Sequence, residues 1–276
     1  MSEWLLGRRS FGTLLWFGEE IMRRRKLIRY AGLGLVSVLG TEVLSGLGKA
    51  QAQASGLSIR YLGHTCFLFS GGGPRILVNP FRSLGCTAGY PAPKVATDLL
   101  MISSQLLDEG AVEIVPGNPR LLYEPGVYQV DKLKIEGIRM NHDRVGGRRF
   151  GVNVAWKWNQ AGIDILHLGG AAAPISVEQK ILMGRPDVLL VPVGGGPKAY
   201  NPEEAKQAIE TLNPRMVIPT HYRTSAAAKD ACDLVGVDDF LALMSGVSVR
   251  RSGNTINLSR GNLPSQGMVI QVMNYA

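Results

Sequence analysis

The chain has 276 residues, 45% of them hydrophobic and 19% charged, with 34 Gly, 15 Pro, 3 Cys and a formal net charge of +8 at pH 7. This excludes a disordered chain, a collagen-like repeat and a disulfide-stapled miniprotein, because apolar material suffices for a sizeable core and cysteine is too scarce for a framework. Residues 1–54 hold 8 Lys+Arg against 4 Asp+Glu, which leaves 22 against 18 over the rest; that balance, without an Arg-rich helix or stacking aromatics, predicts no nucleic-acid partner.

The head of the chain runs Arg23-Arg24-Arg25-Lys26-Leu27-Ile28-Arg29, then a weakly apolar stretch over 30–48, then Ala50-Gln51-Ala52-Gln53-Ala54. A basic region, an apolar region broken by glycines and Glu42, and an Ala-x-Ala end predict a signal segment over 1–54, cleaved after Ala54, ahead of one domain over 55–276; a membrane span needs about 20 apolar residues. The basic cluster resembles a twin-arginine signal, whose route exports folded proteins. It departs from that pattern in having three arginines and no Phe after the pair, and the long basic region leaves Met22 as an alternative start. The expected location is the periplasm or an equivalent lumen, with membrane contact only through this segment if it is retained. Cys66, Cys86 and Cys232 are odd in number, widely spaced and without a CxxC, so at least one thiol stays free. The simplest expectation is three small buried hydrophobes, and no cysteine near the cleavage region invites a lipid anchor.

In the body, short apolar and β-branched runs punctuated by Gly and Pro predict strands over 57–62, 66–70 and 75–79, the last two joined by Gly71-Gly72-Gly73-Pro74. The continuous apolar run over 99–103 predicts a strand buried on both faces. Further strands are expected over 127–130, 133–140, 151–158, 163–168, 188–193 and 216–219, with helices over 176–183, 202–212 and 225–234. A β-rich first half followed by βαβα alternation makes an α/β protein. Trp156 and Trp158 fall on one face of a strand at period two and are expected in the core, and His167 within a strand is expected to be structural.

Six phrases then resemble the metallo-β-lactamase fold superfamily, in its zinc-dependent hydrolase branch. They are Leu62-Gly63-His64-Thr65-Cys66-Phe67-Leu68, Ile76-Leu77-Val78-Asn79-Pro80-Phe81, Asp98-Leu99-Leu100-Met101-Ile102-Ser103, Val191-Pro192-Val193-Gly194-Gly195, Asn201-Pro202-Glu203-Glu204-Ala205 and Val217-Ile218-Pro219-Thr220-His221-Tyr222. The resemblance implies a four-layer αββα sandwich with metal ligands on loops at one sheet edge. Two metal ions there make water a usable nucleophile.

The departures from that pattern lie at the metal site. Where the family carries His-x-His-x-Asp-His, this chain reads Ser104-Gln105-Leu106-Leu107-Asp108-Glu109; where the family's bridging carboxylate follows Gly, it reads Gly169-Gly170. His142 and His221 match the remaining histidine positions. The resemblance therefore leaves Asp108, Glu109, His142 and His221 as metal ligands of a degenerate site, with His64 and His142 lining the pocket. Asp108, Glu109 and His221 would hold one zinc, manganese or iron ion, or the site would hold none. An ordinary helix start accounts equally for Asp108 and Glu109. Two functions follow: a homologue with a decayed binuclear site that binds a small molecule with little or no catalysis, or a mononuclear hydrolase of a small ester, lactone or phosphodiester.

Overall fold

The computed structural model describes residues 56–227 and 231–275. In chain order its elements are β1 (Leu57–Gly63), β2 (Cys66–Ser70), β3 (Ile76–Val78), β4 (Leu99–Met101), β5 (Arg120–Leu122), β6 (Gly126–Val130), β7 (Leu133–Asn141), β8 (Val152–Gln160), β9 (Ile163–His167), α1 (Val177–Met183), β10 (Val188–Pro192), α2 (Pro202–Leu212), β11 (Met216–Thr220), α3 (Val237–Leu243), β12 (Ser248–Ser252), β13 (Thr255–Leu258) and β14 (Val269–Met273). The signal segment expected over 1–54, and its boundary at Ala54, lie outside the described residues. Among the described residues no helix is long and apolar enough to cross a membrane.

The strands form two mixed sheets, ordered β13-β1-β2-β3-β4-β5 and β12-β14-β11-β10-β9-β8-β7-β6. Alternation decides which side chains meet between them. Leu57, Ile59 and Tyr61 of β1 face Ile163, Ile165, Val188, Leu190 and Ile218 of the second sheet, and Trp156 and Trp158 fill the same layer, as expected. Each tryptophan also satisfies its indole: Trp156 donates to the Ile102 carbonyl at 3.1 Å and Trp158 to Gln160 at 3.1 Å.

The intervening positions of the second sheet, Leu189, Val191 and Val217, bury against the helices. Helix α2 shows why it forms where it does. Asn201 accepts from the Glu204 amide at 2.8 Å while Glu204 accepts from the Asn201 amide at 2.9 Å, Pro202 opens the first turn, and Asn213 closes the last in a left-handed conformation. Its Ala205, Ala208, Ile209 and Leu212 form the buried stripe. Over the first sheet, Leu77 and Leu100 are covered by Phe81, Tyr90 and Val115. This outer layer is built of loops and 3-10 turns at Gly85–Thr87 and Val112–Ile114, so the expected four-layer α/β sandwich has α-helices on one side only among the described residues.

Two expectations are corrected. Residues 225–227 and 231–234 are not helical, and 228–230 lie outside the described residues. The reason is that the segment is tied elsewhere: Val235 donates to the Gly194 carbonyl, and Cys232 is joined to Cys86. The cysteines are therefore not three separate buried hydrophobes. Cys86 and Cys232 form a disulfide across 146 residues, and Cys66 alone is free and buried. Strands β5, β12, β13 and β14 complete the sheets beyond the runs expected from sequence, and helix α3 packs through Phe240 into the outer cluster of the second sheet.

Candidate metal centre

The strand ends of both sheets deliver polar side chains to one edge. Strands β1 and β2 are joined by a two-residue loop, with Gly63 opposite Cys66, which places His64 at the turn with φ of 54°. Gly63 at φ 114° has no room for a side chain, because a Cβ there would stand 2.7 Å from the Tyr90 ring. The His64 carbonyl accepts from the His221 amide at 3.2 Å, so the turn is fastened to the end of β11. The two imidazoles lie ring to ring with centroids 4.1 Å apart.

Asp108 approaches from the segment after β4, with its Oδ2 3.5 Å from His64 Nε2. His64, Asp108 and His221 each offer a ligand atom, and these atoms all lie within 4.8 Å of one another. The backbone leading there is held by Asn79, whose Oδ1 accepts from the Ser103 amide at 2.8 Å. Lys198, on the loop after β10, places its Nζ against Asp108 Oδ2. Burial raises the Asp108 carboxyl, but His64 and Lys198 outweigh it and hold the group well below the usual carboxylate range. Burial pushes His221 well below the ordinary histidine value, so it is neutral and free to donate a lone pair.

Glu109 takes a different place. Its Oε2 accepts from Ser104 Oγ at 3.0 Å and lies 3.6 Å from His142 Nε2. Both side chains are buried. Burial and the Asp108 charge push Glu109 up to about 8, while burial and the Lys198 charge push His142 down to about 4. At neutral pH this is a protonated acid beside a neutral imidazole.

The ligand set expected from the sequence is thus rearranged. Of Asp108, Glu109, His142 and His221, the fold brings Asp108 and His221 together with His64, and sets Glu109 with His142 as a neighbouring pair. The physical reason is chain direction: adjacent residues 108 and 109 point to opposite sides of the turn, where Glu109 N and Gly110 N both bond to the Leu106 carbonyl. Ser104 serves as the donor to Glu109, and Leu106 lines the cavity wall. Lys198 was not anticipated; its position just after Gly194-Gly195-Gly196-Pro197, on a loop leaving the same sheet edge, was the available signal.

The residues present fit one metal ion. His64 Nε2 and both ring nitrogens of His221 are buried without a hydrogen-bond partner, a costly state that a cation would relieve. Two imidazoles and one carboxylate form a three-ligand set suited to zinc, iron or manganese with a position left open. The set lies at the floor of a cavity of about 430 Å³ walled by Leu84, Leu106, Leu107 and Leu234. A second cavity of about 620 Å³ is lined by Ser103, Ser104, Tyr123 and Phe150.

The remaining histidine is structural. His167 Nε2 meets the Thr65 carbonyl at 3.1 Å and its Nδ1 accepts from the Gly169 amide at 3.0 Å.

Comparison with known proteins agrees with this architecture. Residues 58–221 match the model of a beta-lactamase superfamily domain. A UPF0173 metal-dependent hydrolase from Thermococcus onnurineus is 28% identical over 193 residues, spanning 61% of this chain and 85% of that protein. The crystal structure of a Thermotoga maritima protein assigned to the zinc-dependent hydrolases of the metallo-beta-lactamase superfamily is 32% identical, with a TM-score of 0.65, covering 80% of this chain and 100% of that one. A metallo hydrolase from Ignicoccus hospitalis, at 19% identity and a TM-score of 0.54 over 74% of this chain and 99% of that one, shares the fold. With its two sheets, its edge-on cluster of His64, Asp108 and His221, and this matched stretch, the chain belongs to the metallo-β-lactamase superfamily.

Proposed function

We propose that the protein is a metal-dependent hydrolase of a small ester, lactone or phosphodiester, working with one ion held by His64, Asp108 and His221. The observation that carries this is the convergence of three ligand atoms, two of them on unpartnered buried imidazoles, at the floor of a cavity. A bound zinc, manganese or iron ion supplies the Lewis acidity that makes water a usable nucleophile at neutral pH. The chain's own groups do the rest. The leucine walls offer apolar surface on which part of a substrate can rest. Glu109 and His142 are fully buried and, contrary to the expectation for His142, do not line the cavity; as a protonated acid beside a neutral imidazole they back the site rather than face the substrate.

A specific observation favours a second reading, a homologue that binds a small molecule without turning it over: Ser104, Leu106 and Gly170 are not metal donors, and Lys198 already neutralises Asp108. One experiment separates the two. Metal content and turnover on ester, lactone and phosphodiester panels are measured for the full-length chain and His221→Ala. The hydrolase predicts about one equivalent of metal and turnover, both lost in the variant; the binding homologue predicts no metal-dependent turnover in either.

We also propose that the domain works outside the cytoplasm. The Cys86–Cys232 disulfide supports this, since such bonds persist in oxidising compartments, and it agrees with the leader expected over 1–54. The cavity and the near-neutral body favour a small-molecule partner over nucleic acid.

A further inference from the structure

Asp108 has two claimants. The oxygen nearest His64 in the ligand cluster, Oδ2, is also the atom that Lys198 Nζ contacts. Both the lysine and the aspartate side chains are largely covered, at 23% and 22% exposure, and Asp108 is the hydrogen-bond partner of the ammonium group. The lysine does not reach this position on a free loop. On one side of it Gly196 and on the other Ala199 give their carbonyls to Arg144, at 3.0 and 2.9 Å; Tyr200 donates to Ala171 at 2.8 Å, and Gly195 donates to Tyr200 at 2.9 Å. Arg144 is itself locked to Glu204 by two contacts of 2.6 Å.

Two cations cannot share one carboxylate oxygen without strong mutual repulsion in a site shielded from water. A divalent ion seated on His64, His221 and Oδ2 of Asp108, the oxygen nearest His64, therefore competes with Lys198 for that oxygen. In its absence the ammonium keeps the buried carboxylate paired, which avoids the penalty of an isolated buried charge.

We propose that Lys198 is a tethered cation that competes with the metal ion for Asp108, so that the protein's own side chain holds the metal-free centre in charge balance and weakens its metal affinity. The inference rests on the metal-centre reading above and deepens it: Lys198 sets the free-metal concentration at which the site loads, and loading releases a cation into the cavity beside the ion.

The test uses zinc alone, on the full-length chain, read by competition with a chromophoric chelator. Lys198→Met should bind zinc about tenfold tighter than wild type, whereas Lys198→Arg, which keeps the charge, should stay near wild type. Equal or weaker zinc binding by Lys198→Met would overturn the inference while leaving the metal centre intact; no zinc binding by wild type or Lys198→Met would overturn both. A second measurement needs no variant. Acetylation of Lys198 by a water-soluble reagent, followed by mass spectrometry, should rise severalfold when zinc is added to wild type, because the amine leaves its carboxylate. Unchanged labelling in protein that has bound zinc would likewise overturn the inference.

Discussion

A Cβ added to Gly170 would stand 2.5 Å from Glu109 Oε1, and 2.4 Å from His142 Nε2: the Glu109 carboxylate occupies the volume that a side chain at 170 would need. The two residues are a volume exchange. Glu109 reaches into the layer between His142 and Ser104 because position 170 has nothing beyond its Cα. Gly170→Ala should therefore lower stability by about 1–3 kcal/mol through overpacking of a buried site. Glu109→Ala should relieve that penalty, so the double variant loses less than the sum of the two single losses. Chemical denaturation of the four proteins measures the coupling, and strict additivity would show that the two side chains do not compete for space.

Much of this was legible in the sequence, and the residues show why. Period-two runs such as Leu57, Ile59 and Tyr61 announce their strand because one face is buried, and Asn201-Pro202-Glu203-Glu204 announces α2 because its cap is local. His221 and Asp108 are placed at the site by the family resemblance alone, His221 from the phrase that closes its strand and Asp108 from its match to the family's His-x-His-x-Asp-His position. What was not legible depends on direction or distance. Adjacent Asp108 and Glu109 diverge through a turn held by the Leu106 carbonyl, which no spacing rule reveals. His64 joins the ligand cluster through a cross-sheet bond from the His221 amide to its carbonyl. The Cys86–Cys232 pairing spans 146 residues, and strands β12 and β13 are largely exposed, so neither carried a local pattern.

His167 makes the fold sensitive to acid. It needs a neutral ring, since Nδ1 accepts from the Gly169 amide while Nε2 meets the Thr65 carbonyl. Burial lowers it from 6.5 to about 4, and His142 is lowered to the same value. The unfolded chain therefore binds more protons between these limits. The stability from each ring is fully present above about pH 6.5 and is lost as pH falls through about 4, by an amount of the order of 3 kcal/mol per ring. Glu109, raised to about 8, acts oppositely: its contribution is present below 4.5 and fades as pH rises through 8, which offsets part of the histidine slope. Urea unfolding of metal-free protein at pH 7, 5.5 and 4.5 should show His167→Gln with a lower stability at pH 7 but a shallower loss toward acid. Identical slopes for the two proteins would remove His167 from the explanation.

The disulfide fixes a wall of the cavity as well as the chain. Cys86 lies in the 3-10 turn over Gly85–Thr87, and Cys232 precedes Asp233 and Leu234, which line the same cavity. Cross-linking across 146 residues restricts the unfolded chain strongly. Cys232→Ser should cost about 2–5 kcal/mol. Cys66→Ser is a separate change, since that thiol is buried and unpaired. Thermal unfolding with and without reductant should show wild type falling to the level of Cys232→Ser on reduction, while Cys232→Ser itself does not respond.

Arg144 holds the loop that presents Lys198. Its guanidinium makes two 2.6 Å contacts to Glu204 and bonds the carbonyls of Gly196 and Ala199, while the Asn201 and Glu204 amides keep their own reciprocal cap. Arg144→Met removes four hydrogen bonds, which should lower stability by about 1–2 kcal/mol because part of the cluster is solvent-exposed. Its more specific effect concerns the metal centre. A loosened 194–200 segment presents Lys198 less firmly to Asp108, so zinc affinity should rise, by less than in Lys198→Met. Combining both substitutions should give the affinity of Lys198→Met alone, since Arg144 acts only through that lysine. Chelator competition on the three variants decides the point: a rise in affinity for Arg144→Met that persists undiminished when Lys198 is already Met would place Arg144 on another route to the site.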